Sequence, residues 1–214
     1  MIDRRAAEGS FENCDRCARL CRERTRIKRL YPAYHASPVG QWGDSRARIL
    51  IVGLAPGLHG AARTGKAFVG DSSGAFLFAR LYRVGMASDP DPDKARLLGA
   101  KITNAVKCFP PQNRPKQAEI DRCSVYLKSE LDQFSGSLDR KNRSIIALGG
   151  VAHRAIYSTL GLGSRPFKHG VVDQIRSTLT LFSSFHPSRL NVNTKRLTPE
   201  MLDAVLIPAK QNSL

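Results

Sequence analysis

Four cysteines in this chain have the spacing of ligands to a metal centre. Cys14 and Cys17 form a C-x-x-C pair near the N-terminus, and Cys108 and Cys123 follow in the middle of the chain. Thiolates are soft ligands, and a close pair can bind one metal centre while two distant cysteines complete its four ligands. The spacing therefore predicts a four-cysteine metal site and leaves zinc and an iron–sulfur cluster equally open.

The alternative is that these cysteines form disulfides or are ordinary buried thiols. The chain has 5 cysteines, which cannot all pair, and its N-terminus lacks the apolar core of a signal peptide. We therefore expect a cytoplasmic protein, a compartment in which disulfides are rare. Cys21 lies one helical turn after Cys17; we expect it to be a small apolar filler, with an exchange of ligands as the open alternative.

The chain is strongly basic, with 34 Lys and Arg against 18 Asp and Glu and a net charge of +16. Basic groups near phosphates release condensed counterions, so this excess favours a polyanionic partner such as DNA, and with it association with the nucleoid. The alternatives are a solvated basic surface and anionic lipid, but the basic run at residues 22–29 has no apolar face beside it. No apolar run approaches the ~20 residues of a membrane helix, so we expect no membrane partner.

Short apolar runs alternate with helix-like stretches along the chain. The strand-like runs are 48–53, 101–106, 144–149 and 179–184, and the main helix-like stretches are 73–84, 117–134 and 151–160. This alternation predicts an α/β fold, a single three-layer α/β/α domain over residues 1–214 with a central four-stranded, mainly parallel sheet. We also expect a cysteine-bearing helix at about residues 8–30 and a flexible tail after about residue 208.

Polar motifs follow three of the predicted strands. Gly53 to Gly57 follow the first strand, Asn104 lies on the second, and His186 follows the fourth. Ligands of open parallel sheets bind outside the carboxyl ends of the strands, so these motifs are expected to converge on one site.

The side chains at this edge suit recognition of a nucleobase. Asn104 offers a donor and an acceptor to an amide-like base edge, and Phe68 could supply a stacking face. Gly53 and Gly57 let the backbone approach a ligand closely, and His186 can donate to an oxygen that gains negative charge. Each residue alone is more often structural; together they predict a pocket for a flipped-out base.

At this point the sequence resembles the uracil-DNA glycosylase superfamily, and within it the iron–sulfur branch called family 5, or type B. The resemblance extends over nearly the whole chain and rests on residues 53–61, 63–68, 70–74, 104–113, 148–150, 186–191 and 196–202. It implies base-excision repair: hydrolysis of the N-glycosidic bond of uracil in DNA, and of other deaminated bases such as hypoxanthine. It also implies that the metal centre is a [4Fe–4S] cluster, with a structural role, on Cys14, Cys17, Cys108 and Cys123.

The resemblance also implies a role for each residue of the pocket. Phe68 would stack on the base, Asn104 would read its edge, and His186 would stabilise the departing base anion. Backbone amides around Leu54 and Ala55 would complete the oxyanion site.

Ala55 stands where the best-known branch of the superfamily has an acidic residue that orients water. The reaction is then expected to depend on a dissociative transition state and on stabilisation of the leaving base. Asp71 and Asn191 are the candidates for positioning water, with helix capping as an equal alternative for Asp71. Relatives with a polar residue at the position of Ala62 could use it for water; this chain cannot.

DNA contacts are expected around residues 188–196. Leu190 occupies the position of an apolar wedge that fills the gap left by the flipped nucleotide. Lys195 stands where relatives often have glycine. The candidate contacts to the phosphate backbone, each also readable as a solvated surface residue, are Arg63, Ser72, Ser188, Arg189, Lys195 and Arg196.

Two other functions are compatible with the same fold. One is a non-catalytic module that binds damaged DNA, and the other is a different relative that hydrolyses nucleotides or captures the base. The intact set of Phe68, Asn104 and His186 favours a hydrolase. We expect a monomer that acts on uracil-containing or otherwise deaminated DNA, and contact with a sliding clamp is left open.

Overall fold

The computed structural model describes residues 11–136 and 141–213. The strands are β1 (Trp42–Gly43), β2 (Ile49–Gly53), β3 (Ala100–Asn104), β4 (Arg143–Leu148), β5 (Val172–Arg176) and β6 (Leu179–Ser184). The α-helices are α1 (Ala18–Leu30), α2 (Ala61–Thr64), α3 (Ser72–Arg83), α4 (Gln117–Ser135), α5 (Gly150–Thr159), α6 (Arg189–Asn193) and α7 (Pro199–Asn212). A 3₁₀ turn spans Pro111–Asn113.

One sheet contains all six strands in the order β1-β3-β2-β4-β6-β5. The four central strands are parallel and are the four predicted from the apolar runs. The predicted count of four strands is nevertheless too low, because β1 and β5 pair antiparallel at the two edges. β1 has only 2 residues, and β5 alternates exposed with half-buried side chains, so neither shows the continuous apolar run of a buried strand.

The sheet is covered on both faces because side chains alternate along each strand. In β2, Ile49 and Ile51 belong to one core cluster, together with Leu77 of α3 and Leu206 of α7. Leu50 and Val52 belong to the other, which includes residues of α4 and α5. All four β2 side chains are at most 3% exposed, so the predicted α/β/α layering is confirmed.

Helix α3 has its start fixed by capping and its far end by ion pairs. The Asp71 side chain accepts a hydrogen bond from the Gly74 amide, which caps the N-terminus. Arg80 then forms two hydrogen bonds to the Asp203 carboxylate of α7, and Arg83 lies 3.2 Å from the same carboxylate. These contacts hold the N-terminus of α3 at the carboxyl edge of the sheet.

The two chain ends differ from the sequence expectation. Helix α1 begins at Ala18 rather than near residue 8, since Cys14 and Cys17 precede it in non-helical backbone; residues 8–10 lie outside the described residues. The prediction of a flexible tail after 208 is wrong up to residue 213. Helix α7 continues through Pro208 to Asn212, and the buried Ser213 hydroxyl lies 2.8 Å from Ser144 Oγ. None of the described helices is long and apolar enough to cross a membrane.

Candidate functional site

The motifs after β2 and β3 lie side by side. Gly53 is the register partner of Asn104, and its carbonyl accepts a hydrogen bond of 2.9 Å from the Ala105 amide. The Leu54 carbonyl then accepts a bond of 2.9 Å from the Val106 amide. The pairing therefore continues beyond the strands and fixes the glycine-rich turn against the segment that carries Asn104.

Two of the predicted pocket residues, Asn104 and Phe68, pack against Gly53. A Cβ at this position would lie 2.5 Å from Asn104 Oδ1 and 2.6 Å from Phe68 Cε2, distances that no side chain can occupy. Asn104 is 2% exposed and Phe68 is 7% exposed. The absence of a side chain at 53 thus lets an amide and an aromatic face share one buried corner.

Phe68 is held in a strained backbone conformation. Its φ of 60° lies in the left-handed region, which costs a residue with a Cβ about 1–2 kcal/mol. The loop around it is restrained by the Thr64 hydroxyl, which donates to the Lys66 and Val69 carbonyls, and by the Trp42 indole, which donates to the Ala67 carbonyl. Such strain is maintained where the surrounding structure requires it and is common at functional sites.

His186 faces the same corner from the end of β6. Its ring centroid lies 5.7 Å from that of Phe68. Burial lowers the pKa of His186 to about 4, an effect that the nearby Asp71 carboxylate partly opposes. The ring is therefore a neutral imidazole near neutral pH, and one of its nitrogens carries a proton to donate.

Asn191 acts on His186 through the backbone. Its side-chain amide donates a hydrogen bond of 2.8 Å to the His186 carbonyl. This contact makes Asn191 a positioning residue for the histidine loop. The expectation that it orients water stays a prediction.

Asp71 uses its two carboxylate oxygens differently. Oδ1 accepts the 2.9 Å bond from the Gly74 amide, so the capping alternative is confirmed. Oδ2 lies against the turn after β2, since a Cβ at Gly57 would lie only 3.0 Å from it and a Cβ at Gly60 would overlap it. One oxygen thus remains directed at the turn that borders the pocket.

The Ala55 side chain packs against the hydrophobic core. It is half buried and packs against the core cluster on the α4 and α5 side of the sheet. The residue therefore offers no carboxylate for water activation, as its type already indicated.

The segment after His186 forms a short helix with an exposed apolar tip. Ser188 caps α6 by accepting from the Asn191 amide, and Leu190 is 72% exposed. Lys195 has a φ of 56°, in the left-handed region that glycine adopts without strain. Arg196 lies with its guanidinium 4.7 Å from the centre of the Phe185 ring.

The other predicted DNA contacts lie on α2, α3 and α6. Ser72 and Arg189 are exposed at the first turns of α3 and α6. Arg63 is exposed at its head but donates to the His59 carbonyl at 2.8 Å and to the Gly70 carbonyl at 3.3 Å. It therefore also connects α2 to the loop that carries Asp71.

The four predicted metal ligands line one cavity between α1, α4 and the end of β3, together with Cys21. Burial raises the pKa of Cys108 to about 12 and that of Cys123 to about 11. The Lys107 backbone amide donates to Cys123 Sγ at 3.3 Å, and Cys21 Sγ instead lies 3.6 Å from the Cys14 carbonyl. A bound cation would lower these pKa values and stabilise the thiolates, and four thiols that line one cavity are a donor set that fits a metal centre.

The cysteines surround the cavity rather than converging on one point. Within the described ranges, no three His, Cys, Asp or Glu side chains are placed to hold a single metal ion. A tetrahedral zinc would need its sulfurs at about 2.3 Å from a common centre.

The sequence did not predict a buried polar network next to this cavity, formed by Lys107, Thr103 and Glu130. The Lys107 ammonium, 1% exposed, donates to Glu130 and to the Thr103 hydroxyl, which in turn donates to Glu130 at 2.8 Å. The network joins β3 to α4 within a few residues of both Asn104 and Cys108. The only signal in the sequence is a lysine inside an apolar segment.

His169 was missed as well. Its Nδ1 accepts a hydrogen bond of 3.1 Å from the Phe185 amide, and the two rings stack with centroids 5.0 Å apart. Phe185 immediately precedes His186, so this contact fixes the end of β6. No pattern in the sequence pointed to it.

Comparison with known proteins identifies the family of this site. The family model of the uracil DNA glycosylase superfamily matches residues 39–209, which include the pocket residues and two of the four cysteines. The chain belongs to the uracil DNA glycosylase superfamily. The resemblance seen in the sequence is thereby confirmed, and so is the fold class.

The type-5 relatives match this chain at higher identity and over a larger share of its length than the type-4 relative does. A type-5 uracil-DNA glycosylase of Thermus thermophilus is 40% identical over 98% of this chain and 98% of its own length. A type-5 uracil-DNA glycosylase of Pyrobaculum aerophilum is 42% identical over 91% of this chain and 86% of its own length. The type-4 uracil-DNA glycosylase of the same organism is 32% identical over 71% of this chain and 63% of its own length.

Proposed function

We propose that this protein is a DNA repair glycosylase of the type-5 kind, which hydrolyses the N-glycosidic bond of uracil in DNA and leaves an abasic site. The observation that carries the proposal is the buried corner over Gly53, where Asn104 and Phe68 meet and His186 faces them. The long matches to type-5 uracil-DNA glycosylases support it.

In this proposal Asn104 reads the base. Its amide can accept from the N3–H of uracil and donate to the neighbouring oxygen O4, the two groups that distinguish uracil from cytosine. Phe68 stacks on the ring, and the backbone amides around Leu54 and Ala55 face the base oxygen on the other side. Because Asn104 is buried, a base that cannot pair with it leaves polar groups unpaired in a desolvated pocket.

His186 stabilises the leaving group. As the bond from C1′ to N1 breaks, its electron pair stays with uracil, and negative charge develops on the base oxygen. The neutral imidazole present at neutral pH keeps one N–H, which it donates to that oxygen. Water then adds to C1′ of the sugar cation, and its excess proton leaves to solvent.

We assign Asp71 to the water. Ala55 cannot supply a carboxylate, and Asp71 keeps Oδ2 directed at the turn of Gly57 and Gly60 while Oδ1 caps α3. Its negative charge also favours the sugar cation of a dissociative transition state. Asn191 supports this arrangement by holding the His186 backbone.

DNA is held by the segment after His186. Leu190 has the exposure expected of a wedge that replaces the flipped nucleotide in the base stack. Around it, the side chains proposed to contact phosphates are Arg63, Ser72, Ser188, Arg189, Lys195 and Arg196.

The proposed cofactor is a [4Fe–4S] cluster on Cys14, Cys17, Cys108 and Cys123. The four thiols line one cavity, and the resemblance to the iron–sulfur branch of the superfamily favours a cluster over a single zinc ion. Hydrolysis needs no electron transfer, so the cluster would tie the N-terminal segment to the loop after β3. Bound cations would also relieve the cost of ionising two deeply buried thiols.

An excision assay tests the function directly. Labelled oligonucleotides containing uracil, hypoxanthine or only normal bases are incubated with the protein, and abasic sites are cleaved by alkali. We expect cleavage at uracil and at hypoxanthine, and none in the oligonucleotide that contains only normal bases. Tight binding to the uracil oligonucleotide without any cleavage would instead establish the alternative, a non-catalytic damage-binding module.

A further inference from the structure

An exposed aromatic cluster lies outside the residues assigned so far. The rings of Tyr31 and Tyr34 stack with centroids 4.6 Å apart and planes 17° from parallel. His59 stands edge-on to both rings, at 5.8 Å and 6.0 Å, and its Nδ1 lies 2.8 Å from the Tyr34 hydroxyl. The three rings form one rigid group, called here the Tyr31 platform.

Core packing accounts for only part of this platform. Tyr34 packs against the buried Ile27, Ala62 and Phe109, so its position follows from burial. Tyr31 follows α1, is 37% exposed and covers Tyr34 from the solvent side. An aromatic ring fixed in this way costs little entropy when a second flat ring stacks on it.

The platform is attached to the wall of the proposed active site. His59 lies between Gly57 and Gly60, the two glycines that contact the Asp71 carboxylate. The His59 carbonyl accepts from Arg63, whose other nitrogen donates to the Gly70 carbonyl next to Asp71. The platform and the proposed pocket therefore share the turn at residues 57–60.

The surroundings of the platform are basic. Lys28 and Arg29 occupy the last turn of α1, and the Lys28 ammonium donates to the Tyr34 carbonyl at 2.9 Å. Exposed aromatic faces combined with cationic groups that follow a backbone are the recognition mode of single-stranded nucleic acids. The charge and the rings together select a nucleotide rather than an apolar partner.

We propose that the Tyr31 platform stacks an unpaired base near the excised one when the substrate is single-stranded DNA. This inference rests on the proposed function, because it places the platform beside a pocket for flipped bases. In a duplex the same base is already stacked between its neighbours and paired. The platform therefore favours single-stranded substrates over duplex substrates.

Binding measurements on three variants test the proposal. The probe is an undamaged oligonucleotide carrying the fluorescent base 2-aminopurine, used as a single strand and as a duplex. Tyr31→Leu should weaken single-strand binding by roughly 5- to 100-fold and abolish the quenching that stacking causes, while duplex binding changes less than about twofold. Tyr31→Trp should keep both binding and quenching.

Tyr82→Leu is the matched control, because Tyr82 is also an exposed tyrosine, 51% exposed against 37% for Tyr31, and lies on α3. Equal losses on single strand and duplex, or a Tyr31→Leu result identical to that of Tyr82→Leu, would overturn the proposal. Absence of uracil excision by the wild-type protein would refute the proposed function alone. The quenching of undamaged single strands would still report on the platform.

Discussion

At the scale of single residues, the chemistry rests on groups whose environments differ sharply. His186 is neutral because burial disfavours its cation, whereas Asp71 divides its two oxygens between a helix cap and the turn after β2. With no carboxylate at Ala55, the main catalytic contribution is expected from stabilisation of the leaving base.

His186→Ala should therefore lower the single-turnover rate of uracil excision by about 10²–10³-fold, the effect of removing one oxyanion donor. DNA binding, measured by anisotropy, should change little. Asp71→Asn keeps a side-chain oxygen that can cap α3. Any decrease in the excision rate of that variant therefore measures the contribution of the carboxylate charge. Near-normal rates in His186→Ala combined with an almost inactive Asp71→Asn would make activation of water the dominant contribution.

The pH dependence follows from the lowered pKa of His186. A histidine with an ordinary pKa of about 6.5 would become charged as the pH falls below that value, whereas His186 stays neutral until about pH 4. Between these values the unfolded chain binds more protons than the folded one, so stability should rise with pH in this window. Denaturant midpoints from pH 4.5 to 7 for wild type and His186→Phe measure this rise in stability. If the midpoint of the variant rises with pH as steeply as that of the wild type, His186 is not the group responsible.

At the scale of elements, the structure depends on how non-helical segments are tied to the sheet. The loop before α1 and the loop after β3 both line the cysteine cavity. Next to it, Arg19 of α1 pairs with Glu119 of α4 at 2.7 Å and donates to the Arg114 carbonyl of the loop after β3 at 3.1 Å. Lys107, in the same loop after β3, is bonded to Thr103 and Glu130 in the buried polar network. A cluster at this place would fix both segments relative to the pocket.

Cys108→Ser should therefore lose iron and solubility, while Cys21→Ala should retain both. Cys21 lines the same cavity, but its sulfur lies within reach of the Cys14 carbonyl and Arg24, so it is the matched control. Anaerobically purified wild-type protein should contain about four irons per chain. Stoichiometric zinc without iron or sulfide would disprove the cluster.

At the scale of the whole molecule, the net charge of +16 matters through its distribution. Arg196 packs on Phe185, beside the pocket at the carboxyl ends of the parallel strands. Arg176 is exposed at the end of β5 and pairs with Leu179 at the start of β6. It therefore lies at the amino ends of the parallel strands, opposite the pocket. Counterion release depends on contact with phosphates and not on total charge.

Arg196→Gln should reduce the slope of log Kd against log salt concentration by about one, as expected for one lost phosphate contact. Arg176→Gln removes the same charge and should leave the slope unchanged. Titrations of duplex DNA at several salt concentrations measure both. Equal reductions in the two variants would mean that overall charge, rather than a defined surface, holds the DNA.

The sequence by itself determined the parallel sheet and the convergence of the motifs. Apolar runs such as 144–149 are buried on both faces, so their pattern is local and visible. The link between strand ends and ligand sites then placed Gly53, Asn104 and His186 together without any coordinates. The cysteine spacing and the resemblance to the superfamily could also be recognised in the sequence, because both depend only on residue type and order.

Only the tertiary structure decided what depends on partners distant in the chain. The edge strand β5 is defined by its pairing with β6, and the helix that continues through Pro208 brings Ser213 against Ser144. The division of Asp71 between cap and pocket, like the Tyr31 platform, arises from side chains that meet after folding. Such contacts leave no periodic trace in the sequence, because each depends on one pair of positions rather than on a repeating pattern.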